Sequence, residues 1–564
     1  MVAMTNRCHR PRFAKSIPAL ASLGMALILS AGVSGVACAA RLADAGKRVL
    51  LIEAGKSDRH VKSRIPALVG GVVQNPDFDW CYRAEPDPSI GGRPDVWPAG
   101  KRLGGGSAIN GMMFIRGHRW DYDHWAKLGA TGWDYESVLP YFRRIENNER
   151  GEDPWRGVGG PIDVSEVRSR YPVTEAWIEA VRQAGFSRSA DLNGESAEGV
   201  DHVQLSQRAG LRCSTATGYL GKKRPNLEVM LEAEVFKIVV EGGRATGVTV
   251  RRGSDRQTIR SLEGVVLSAG ALNTPRLLML SGIGPAGHLS QFGIEVIRDL
   301  PAVGANLQEH AGLHLINEVS ARTLNDEARG IPGAVQLFKL LLSRSGALTT
   351  GIGHAQAFLK SQKGLPAPNL QFAFSAFAFD VTPNGNLALR PTASVTTLVA
   401  LMRPSSRGRV RLRSSNPADA PCIEHRLLGS DDDVMQLVEG LQIARRIMVQ
   451  DALDSLVTSE VRPGSELQSS EALQSYVRAA AMPMFHPVGT AKIGAGDDPN
   501  AVVDPDLRVR EIEGLWVADA SVMPTIPAGN TNATAIMIGD KAADHILRVL
   551  AHGGVSAPKI GAMA

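Results

Sequence analysis

The chain has 564 residues, well beyond the roughly 250–300 residues at which a single hydrophobic core stops growing, so we expect at least two domains. Its 44 % hydrophobic and 21 % charged residues are typical of a folded globular protein and exclude a disordered or fibrous chain. A formal net charge of +5, without a long basic run, excludes the strong positive field of a nucleic-acid-binding protein, so we predict no nucleic-acid partner.

The cysteines and histidines do not form a metal-binding pattern. Five widely separated cysteines indicate neither a disulfide framework nor a metal cluster, and the histidines lack metal-ligand spacings, so no metal is predicted. Separated cysteines in odd number fit a reducing compartment, and we expect a cytoplasmic protein.

The first forty residues allow two interpretations. Basic residues between Arg7 and Lys15 precede an apolar stretch that ends in Ala37-Cys38-Ala39, which resembles a signal peptide with a small-residue cleavage site. Alternatively, residues 25–29 form a buried strand that continues into a glycine-containing turn. Cleavage near Ala39 would remove this strand, and we favour the strand because the segment that follows Gly35 needs it; we leave association with a membrane open.

Residues 25–55 are predicted to form a strand, a turn, a helix and a second strand, the βαβ opening of a parallel sheet. Gly32 and Gly35 occupy the second and third glycine positions of a dinucleotide-binding turn, whereas Ser30 occupies the first. Glu53 ends the next strand at the spacing at which a carboxylate binds ribose hydroxyls. If the turn requires a positive φ or a close approach to phosphate, Ser30 is strained and the cofactor binds more weakly.

A second glycine cluster lies at residues 100–112 and contains the consecutive glycines Gly104, Gly105 and Gly106. Without Cβ atoms such a segment can lie against a flat ligand, although glycines also serve ordinary turns. The two clusters together predict a cofactor site.

The rest of the chain indicates two kinds of sheet. Residues 264–268 and 515–518 are apolar and each precedes a helix-like segment, so distant parts of the chain are expected to share one sheet. Between residues 316 and 479, alternating strands such as 393–399 and helices such as 434–449 are typical of an antiparallel sheet with helices. The tail from about His552 is expected to be mobile.

Six segments resemble the glucose-methanol-choline (GMC) family of FAD-dependent oxidoreductases, and within it the bacterial choline dehydrogenase-like alcohol dehydrogenases. The resemblance covers roughly residues 25–550 and rests on LGGGSAINGMMFIRG with DYDHW (103–125), RCSTATGYL (212–220), SAGALNTPRLLMLSGIGP (268–285), LPAVGANLQEH (300–310), HPVGT (486–490) and VADASVMPTIPAGNTNATAIMIGDKAAD (517–544).

The resemblance implies an α/β fold with a doubly wound, Rossmann-like FAD-binding domain and a second substrate domain built on an antiparallel sheet with helices. We expect the FAD-binding domain to be discontinuous. It would comprise residues 25–155, 195–315 and 480–550, and the substrate-binding domain would comprise residues 156–194 and 316–479.

The resemblance also implies which residues hold FAD. Besides Gly32, Gly35 and Glu53, these are Leu103, Gly104, Gly105, Gly106, Asn110, Gly111, Met112 and Met113 along the flavin, Val235 on the adenine side, Asp519 and Ala520 near the pyrophosphate, and Asn530, Thr531 and Asn532 near the flavin ring. Some relatives bind FAD covalently through a histidine at the position of Ile109. Because isoleucine cannot form that bond, non-covalent FAD is predicted.

Two catalytic residues follow from the same resemblance. His486 would accept the proton of an alcohol while a hydride passes to flavin N5, and Asn530 would donate to the alcohol oxygen. The expected reaction converts a small-molecule alcohol into an aldehyde or ketone, with a quinone or oxygen as electron acceptor. The alternatives are an FAD-containing lyase similar to hydroxynitrile lyases and a cofactor-poor, inactive homologue.

Overall fold

The computed structural model describes residues 25–330, 333–381 and 387–552. The tail predicted to be mobile beyond His552 lies outside these residues, and so do residues 1–24 of the signal-peptide interpretation. In the described residues, no helix is both long and apolar enough to cross a membrane.

A largely parallel sheet carries the predicted dinucleotide motif. Leu29 pairs with Leu51 on one side and with Val266 on the other, so the first strand lies inside the sheet, as the strand interpretation expects. The strands at residues 264–268 and 515–518 also belong to it, as predicted. Its parallel strands are, in spatial order, Leu227–Met230, Val49–Ile52, Met25–Ser30, the end of Asp255–Leu267, and Leu515–Val517.

The long strand Asp255–Leu267 changes partners along its length. Its first half runs antiparallel to Arg244–Arg252, which in turn pairs with Glu234–Glu241. Its second half runs parallel to Met25–Ser30. One strand therefore joins an antiparallel extension to the parallel sheet.

Two helices from opposite ends of the described chain pack against each other. Val33–Asp44 follows the first strand, and Asn532–His552 is the last helix. Ser34 Oγ donates to the carbonyl oxygen of Ala535 over 2.6 Å, and a Cβ added to Gly539 would overlap the backbone of Ser34. The last helix thus lies directly on the first turn of the first helix.

The second large sheet is antiparallel and is covered by helices. Trp177 of helix Pro172–Gln183 stacks on Phe374 at 5.0 Å, in a core that also includes helices Asp431–Met448 and Ser470–Ala480. The predicted fold class is confirmed. The strands are, in spatial order, Val457–Arg462, Ala311–Val319, Ser394–Leu401, Leu370–Ser375, Ala355–Leu359 and Gly199–His202, and Met482–Pro483 pairs with Ala311–Val319.

Two sheets lie across the boundaries that we expected between the domains. Gly199–His202, expected in the FAD-binding domain, pairs with Ala355–Leu359 of the antiparallel sheet. A smaller sheet joins Glu146–Asn148, Ile162–Glu166, Gln204–Arg208 and Leu211–Arg212. The exact division into domains therefore stays a prediction.

Shorter elements connect these layers. The remaining helices of seven or more residues are Arg119–Lys127, Tyr135–Ile145, Gly270–Leu280, Leu324–Gly330 and Gly333–Ser343 in the described chain, and the short strand pairs are Tyr82–Arg83 with Val96–Trp97, Ile283–Gly284 with Arg298–Asp299, Phe379–Val381 with Leu387–Leu389, and Arg409–Arg411 with Cys422–Glu424.

Candidate active site

A cavity opens at the carboxyl ends of the parallel strands, where doubly wound sheets bind their ligands. The first helix begins there at its N-cap Gly32, without a side-chain cap hydrogen bond. Its N-terminal N–H groups and the positive end of its dipole can therefore receive a pyrophosphate. The strand ends contribute Ser30, Ala31, Gly32, Val33, Ser34, Ile52, Glu53, Ala54, Ser268, Ala269, Gly270, Asp519 and Ala520 to the lining.

Gly32 and Gly35 lie where the backbone leaves no space for a side chain. A Cβ on Gly32 would overlap the carbonyl oxygen of Ser268, and a Cβ on Gly35 would overlap that of Ser30. Ser30 lines the cavity, but it is not one of the described non-glycine residues with a positive φ. The backbone strain expected at Ser30 is therefore absent, because the turn does not require a left-handed conformation there.

Glu53 ends the second strand and lines the cavity with a buried carboxyl group. Gly55 donates its backbone N–H to Glu53 Oε1 over 2.8 Å. Burial raises the pKa of Glu53 to about 8, and this N–H and the charge of Lys101 oppose the increase. The position at the cavity suits the predicted role in binding ribose hydroxyls.

The second glycine cluster lies on the first turn. Gly104 donates its N–H to the carbonyl oxygen of Ala31 over 3.0 Å, and a Cβ on Gly105 would be only 3.1 Å from Gly32 Cα. Gly105, Gly106, Ile109 and Asn110 line the same cavity. Both predicted glycine clusters therefore belong to one site.

Asp519 holds the loop that closes this end of the cavity. Its Oδ2 accepts from Gly270 N over 2.9 Å and from Thr274 Oγ1 over 2.6 Å, while its Oδ1 accepts from Ser521 N over 2.8 Å. Burial raises the pKa of the Asp519 carboxyl, and these donors oppose the increase. Asp519 thus holds the neighbouring backbone of the cavity in position.

The other predicted cofactor residues fall into two groups. Val235 and Ala520 line the cavity. The second group begins with three buried side chains, Leu103, Met112 and Met113, and with Gly111, which lies against Ile352. It also includes Thr531, which precedes the helix Asn532–His552, and Asn532, which begins it. This second group, together with Gly35, Gly104 and Asn530, is not part of the cavity lining.

The predicted catalytic residues are in direct contact, and a third residue joins them. Asn530 Nδ2 lies 3.1 Å from His486 Nε2, and His486 Nδ1 lies 3.0 Å from His310 Nδ1. Because an amide nitrogen only donates, Nε2 of His486 accepts, and its proton is assigned to Nδ1, which donates to His310. Asn530 Oδ1 is buried without a hydrogen-bond partner in the described structure, and is an acceptor left for a ligand.

Glu309 fixes the backbone on both sides of the histidine pair. Both of its carboxylate oxygens accept from His486 N over 2.8 Å, and Oε1 also accepts from His310 N over 2.9 Å. Phe485, just before the base, has a φ of +65°, which is a strained conformation for an aromatic residue. The turn that presents His486 is therefore held in place by a buried carboxyl group.

Burial keeps both histidines neutral at pH 7. It lowers the pKa of His486 to about 4. It also lowers the pKa of His310 well below its ordinary value, and the charge of His486 lowers it further. A neutral His486 with an accepting Nε2 is ready to take a proton.

Sequence reasoning missed His310 and Glu309 as parts of this site. Both residues stand in the LQEH motif at the end of the segment 300–310 that resembles the family. An acid followed by a histidine within a motif near the second sheet was the signal that could have found them.

The cavity fits FAD on its own features. A helix N-terminus faces a glycine turn without room for Cβ atoms, and a buried carboxyl group lies at the next strand end. These features match a pyrophosphate and a ribose.

Comparisons with known proteins give the same family. The GMC oxidoreductase family models match residues 25–312 and 404–539. Oxygen-dependent choline dehydrogenase from Brucella canis is 40 % identical over 525 residues, which are 92 % of this chain and 95 % of that protein. The protein of the same name from Rhizobium etli is 39 % identical over 530 residues, again 92 % and 95 % of the two chains.

Solved structures of two oxidases have the same fold. Pyridoxine 4-oxidase from Mesorbium loti is 27 % identical, with a TM-score of 0.83 over 94 % of this chain and 99 % of that chain. A variant of formate oxidase from Aspergillus oryzae, studied for modification of its FAD, is 26 % identical, with a TM-score of 0.86 over the same shares. The chain therefore belongs to the GMC oxidoreductase family and is an FAD-dependent enzyme that oxidises an alcohol.

Proposed function

We propose that His486 is the base of this oxidation and that Asn530 and His310 complete the catalytic site. The observation that carries the proposal is the hydrogen-bonded chain from Asn530 through His486 to His310. Bound FAD supplies the flavin that takes up a hydride from the alcohol carbon. The alcohol hydroxyl donates to His486 Nε2, and this nitrogen takes the proton as the carbon–oxygen double bond forms.

Asn530 acts on the same oxygen. As the proton leaves, negative charge develops on the alcohol oxygen, and Asn530 Nδ2 donates to it in place of its contact with His486. The Oδ1 atom of Asn530 is buried and has no hydrogen-bond partner in the described residues. The amide therefore stabilises the charge that the base creates.

His310 is proposed as a positioning residue behind the base. When His486 becomes an imidazolium, its Nδ1–H still needs an acceptor, and the neutral His310 provides one at 3.0 Å. The same contact fixes the ring orientation and the tautomer that leaves Nε2 free. His310 acts through His486 and not on the substrate.

We expect His310→Ala to slow alcohol-dependent flavin reduction by roughly 10- to 100-fold, the value of a hydrogen bond to a charged group. KM should change little, because His310 does not contact the alcohol. Stopped-flow measurement of flavin bleaching gives the rate constant at saturating alcohol. His310→Gln, whose side-chain oxygen can accept from Nδ1–H, should recover a large part of the rate. Equal losses in both variants would contradict the positioning role.

FAD is proposed to be bound without a covalent link. Ile109, at the position where some relatives use histidine, lines the cavity and carries no group that can bond to flavin. Acid precipitation should leave all the flavin absorbance in the supernatant. Yellow colour in the washed pellet would contradict this prediction.

The substrate is proposed to be an alcohol with an apolar skeleton. The loop carrying Asn530 is enclosed by apolar side chains: Gly529 N donates to Met402 Sδ over 3.0 Å, and a Cβ on Gly529 would lie 2.7 Å from Ile115 and 3.1 Å from Phe358. The carboxylate beside the base, Glu309, is occupied by backbone N–H groups. A cationic alcohol such as choline would therefore lose its hydration on entering the site and would gain no counter-ion from Glu309 in return.

An anaerobic comparison of alcohols tests the proposed function. Hexan-1-ol or benzyl alcohol should bleach the flavin with a kcat/KM at least about tenfold above that of choline. Admission of oxygen should then restore the yellow colour. A preference for choline would overturn the substrate class, and failure of every alcohol to bleach the flavin would overturn the assignment of His486 chemistry.

The electron acceptor is proposed to be oxygen. The support is the name of the relatives, oxygen-dependent choline dehydrogenase. The quinone alternative predicts slow recolouring in air and fast recolouring with a soluble quinone.

A cytoplasmic location is proposed on the separate ground that the described cysteines Cys38, Cys81, Cys213 and Cys422 are free. Association with a membrane is also proposed, through a surface outside the catalytic site.

A further inference from the structure

The helix Gly333–Ser343 has the reverse of the usual surface pattern. Gln336 and Leu340, one turn apart, form its buried strip, and Gln336 Oε1 accepts from Ala347 N over 3.1 Å. Large apolar side chains lie on the outside, with exposures between 41 % and 69 %: Val335, Leu337, Phe338, Leu341 and Leu342. A surface helix ordinarily buries its apolar face, so these five side chains are unpartnered in the described structure.

This apolar surface is connected to the second glycine cluster through the loop that follows the helix. The helix leads through the turn Ala347–Thr349 to Ile352, which is itself 42 % exposed. A Cβ on Gly111 would overlap the side chain of Ile352, so this loop contacts the second glycine cluster. A surface that binds the helix would therefore be close to this glycine cluster.

The charge of the segment selects the partner. Residues 333–353 contain Lys339 and Arg344 and no acidic residue. In the described part of the chain, neither basic side chain forms an ion pair. In a symmetric dimer through this face, like charges would meet like charges. An anionic phospholipid surface instead attracts them and takes up the apolar side chains.

We propose that helix Gly333–Ser343 docks on an anionic phospholipid bilayer, lying in the plane of the interface with Phe338, Leu341 and Leu342 inserted. At 11 residues the helix is about 16 Å long, which suits an interfacial position and not a span. The docking surface deepens the proposed membrane association.

Sedimentation with vesicles tests the docking surface. Full-length, FAD-loaded protein should pellet with vesicles of phosphatidylglycerol and phosphatidylcholine in equal parts, and less with phosphatidylcholine alone. The variant Phe338→Ser/Leu341→Ser/Leu342→Ser should lose roughly tenfold or more of its vesicle affinity. Val449→Ser removes a side chain that is 75 % exposed after helix Asp431–Met448, and it should bind as the unaltered protein does.

Activity and oligomeric state distinguish membrane docking from other roles of this face. Both variants should oxidise alcohol at the unaltered rate with a soluble dye as acceptor, so a failure of docking is distinct from a failure of the proposed chemistry. The proposal is overturned if the protein stays in the supernatant with both lipid mixtures, or if Val449→Ser loses as much affinity as the triple variant. A dimer in sedimentation velocity that the triple variant dissociates, without vesicle binding, would assign the face to a second copy.

Discussion

Replacing His486 with alanine should reduce the rate of alcohol-dependent flavin reduction by roughly 10²–10⁴-fold, the usual effect of losing a general base. The Nε2 atom of His486 accepts from Asn530 and is the atom proposed to take the alcohol proton. Loss of this side chain therefore leaves the alcohol hydroxyl without a base. FAD content should be unchanged, because the side chain is not part of the cavity lining. Stopped-flow bleaching under anaerobic conditions measures the effect.

The pH dependence gives an independent check of the same residue. The pKa of His486 is lowered from 6.5 to about 4 by burial, so the base stays neutral well below the ordinary histidine range. Reduction should therefore persist between pH 6.5 and about 4 and fall only as His486 is protonated. His124→Ala, in helix Arg119–Lys127, is the matched control and should reduce at the unaltered rate. A His486→Ala enzyme as fast as this control would remove His486 from the mechanism.

Replacing Gly32 with alanine should reduce FAD affinity by at least about tenfold and lower the free energy of unfolding by roughly 1–3 kcal/mol. The new Cβ would overlap the carbonyl oxygen of Ser268, which is a backbone atom and cannot rotate away, so one strand end or the helix start must move. That movement displaces the N–H groups that would receive the pyrophosphate. Flavin content after gel filtration and calorimetric unfolding with added FAD measure the two effects.

Gly287→Ala is the control for this substitution. Gly287 lies in helix Ala286–Gln291, has no atom within 4 Å of an added Cβ, and does not have a positive φ. Alanine there should leave flavin content unchanged and not lower stability. Equal loss of FAD in both variants would mean that the effect of Gly32→Ala is a general cost of the substitution and not crowding at the turn.

The sequence was sufficient to predict that the end of the first strand, the glycine turn and Glu53 come together, as they do at the cavity. The apolar strand, the glycine turn and Glu53 are close in sequence, and their spacing is set by local βαβ geometry. The strain at Ser30 could not be decided in this way, because it depends on a φ value that a residue type does not specify. In the structure that φ is not positive.

The contact between the two histidines could not be predicted, because it depends on the pairing of distant segments. His310 and His486 are 176 positions apart. They meet because Gln308 and Val488 form an antiparallel bridge, and because Met484 N donates to the carbonyl oxygen of His310 over 3.0 Å. The spacing of residues along the chain does not indicate that Gln308 pairs with Val488. Strand Gly199–His202 joined the antiparallel sheet for the same reason.

The order in which the parallel sheet is assembled has a consequence for synthesis on the ribosome. The central strand Met25–Ser30 pairs with Asp255–Leu267, which also pairs with Leu515–Val517, and the last helix lies on Ser34 over a separation of 501 positions. Contacts of such high sequence separation form late, since each needs a long loop to close. The cofactor turn emerges from the ribosome long before the strand Leu515–Val517 and the helix Asn532–His552 that complete its surroundings. A nascent chain stalled before residue 515 should therefore remain unable to retain FAD, and apolar strands should depend on chaperones until release.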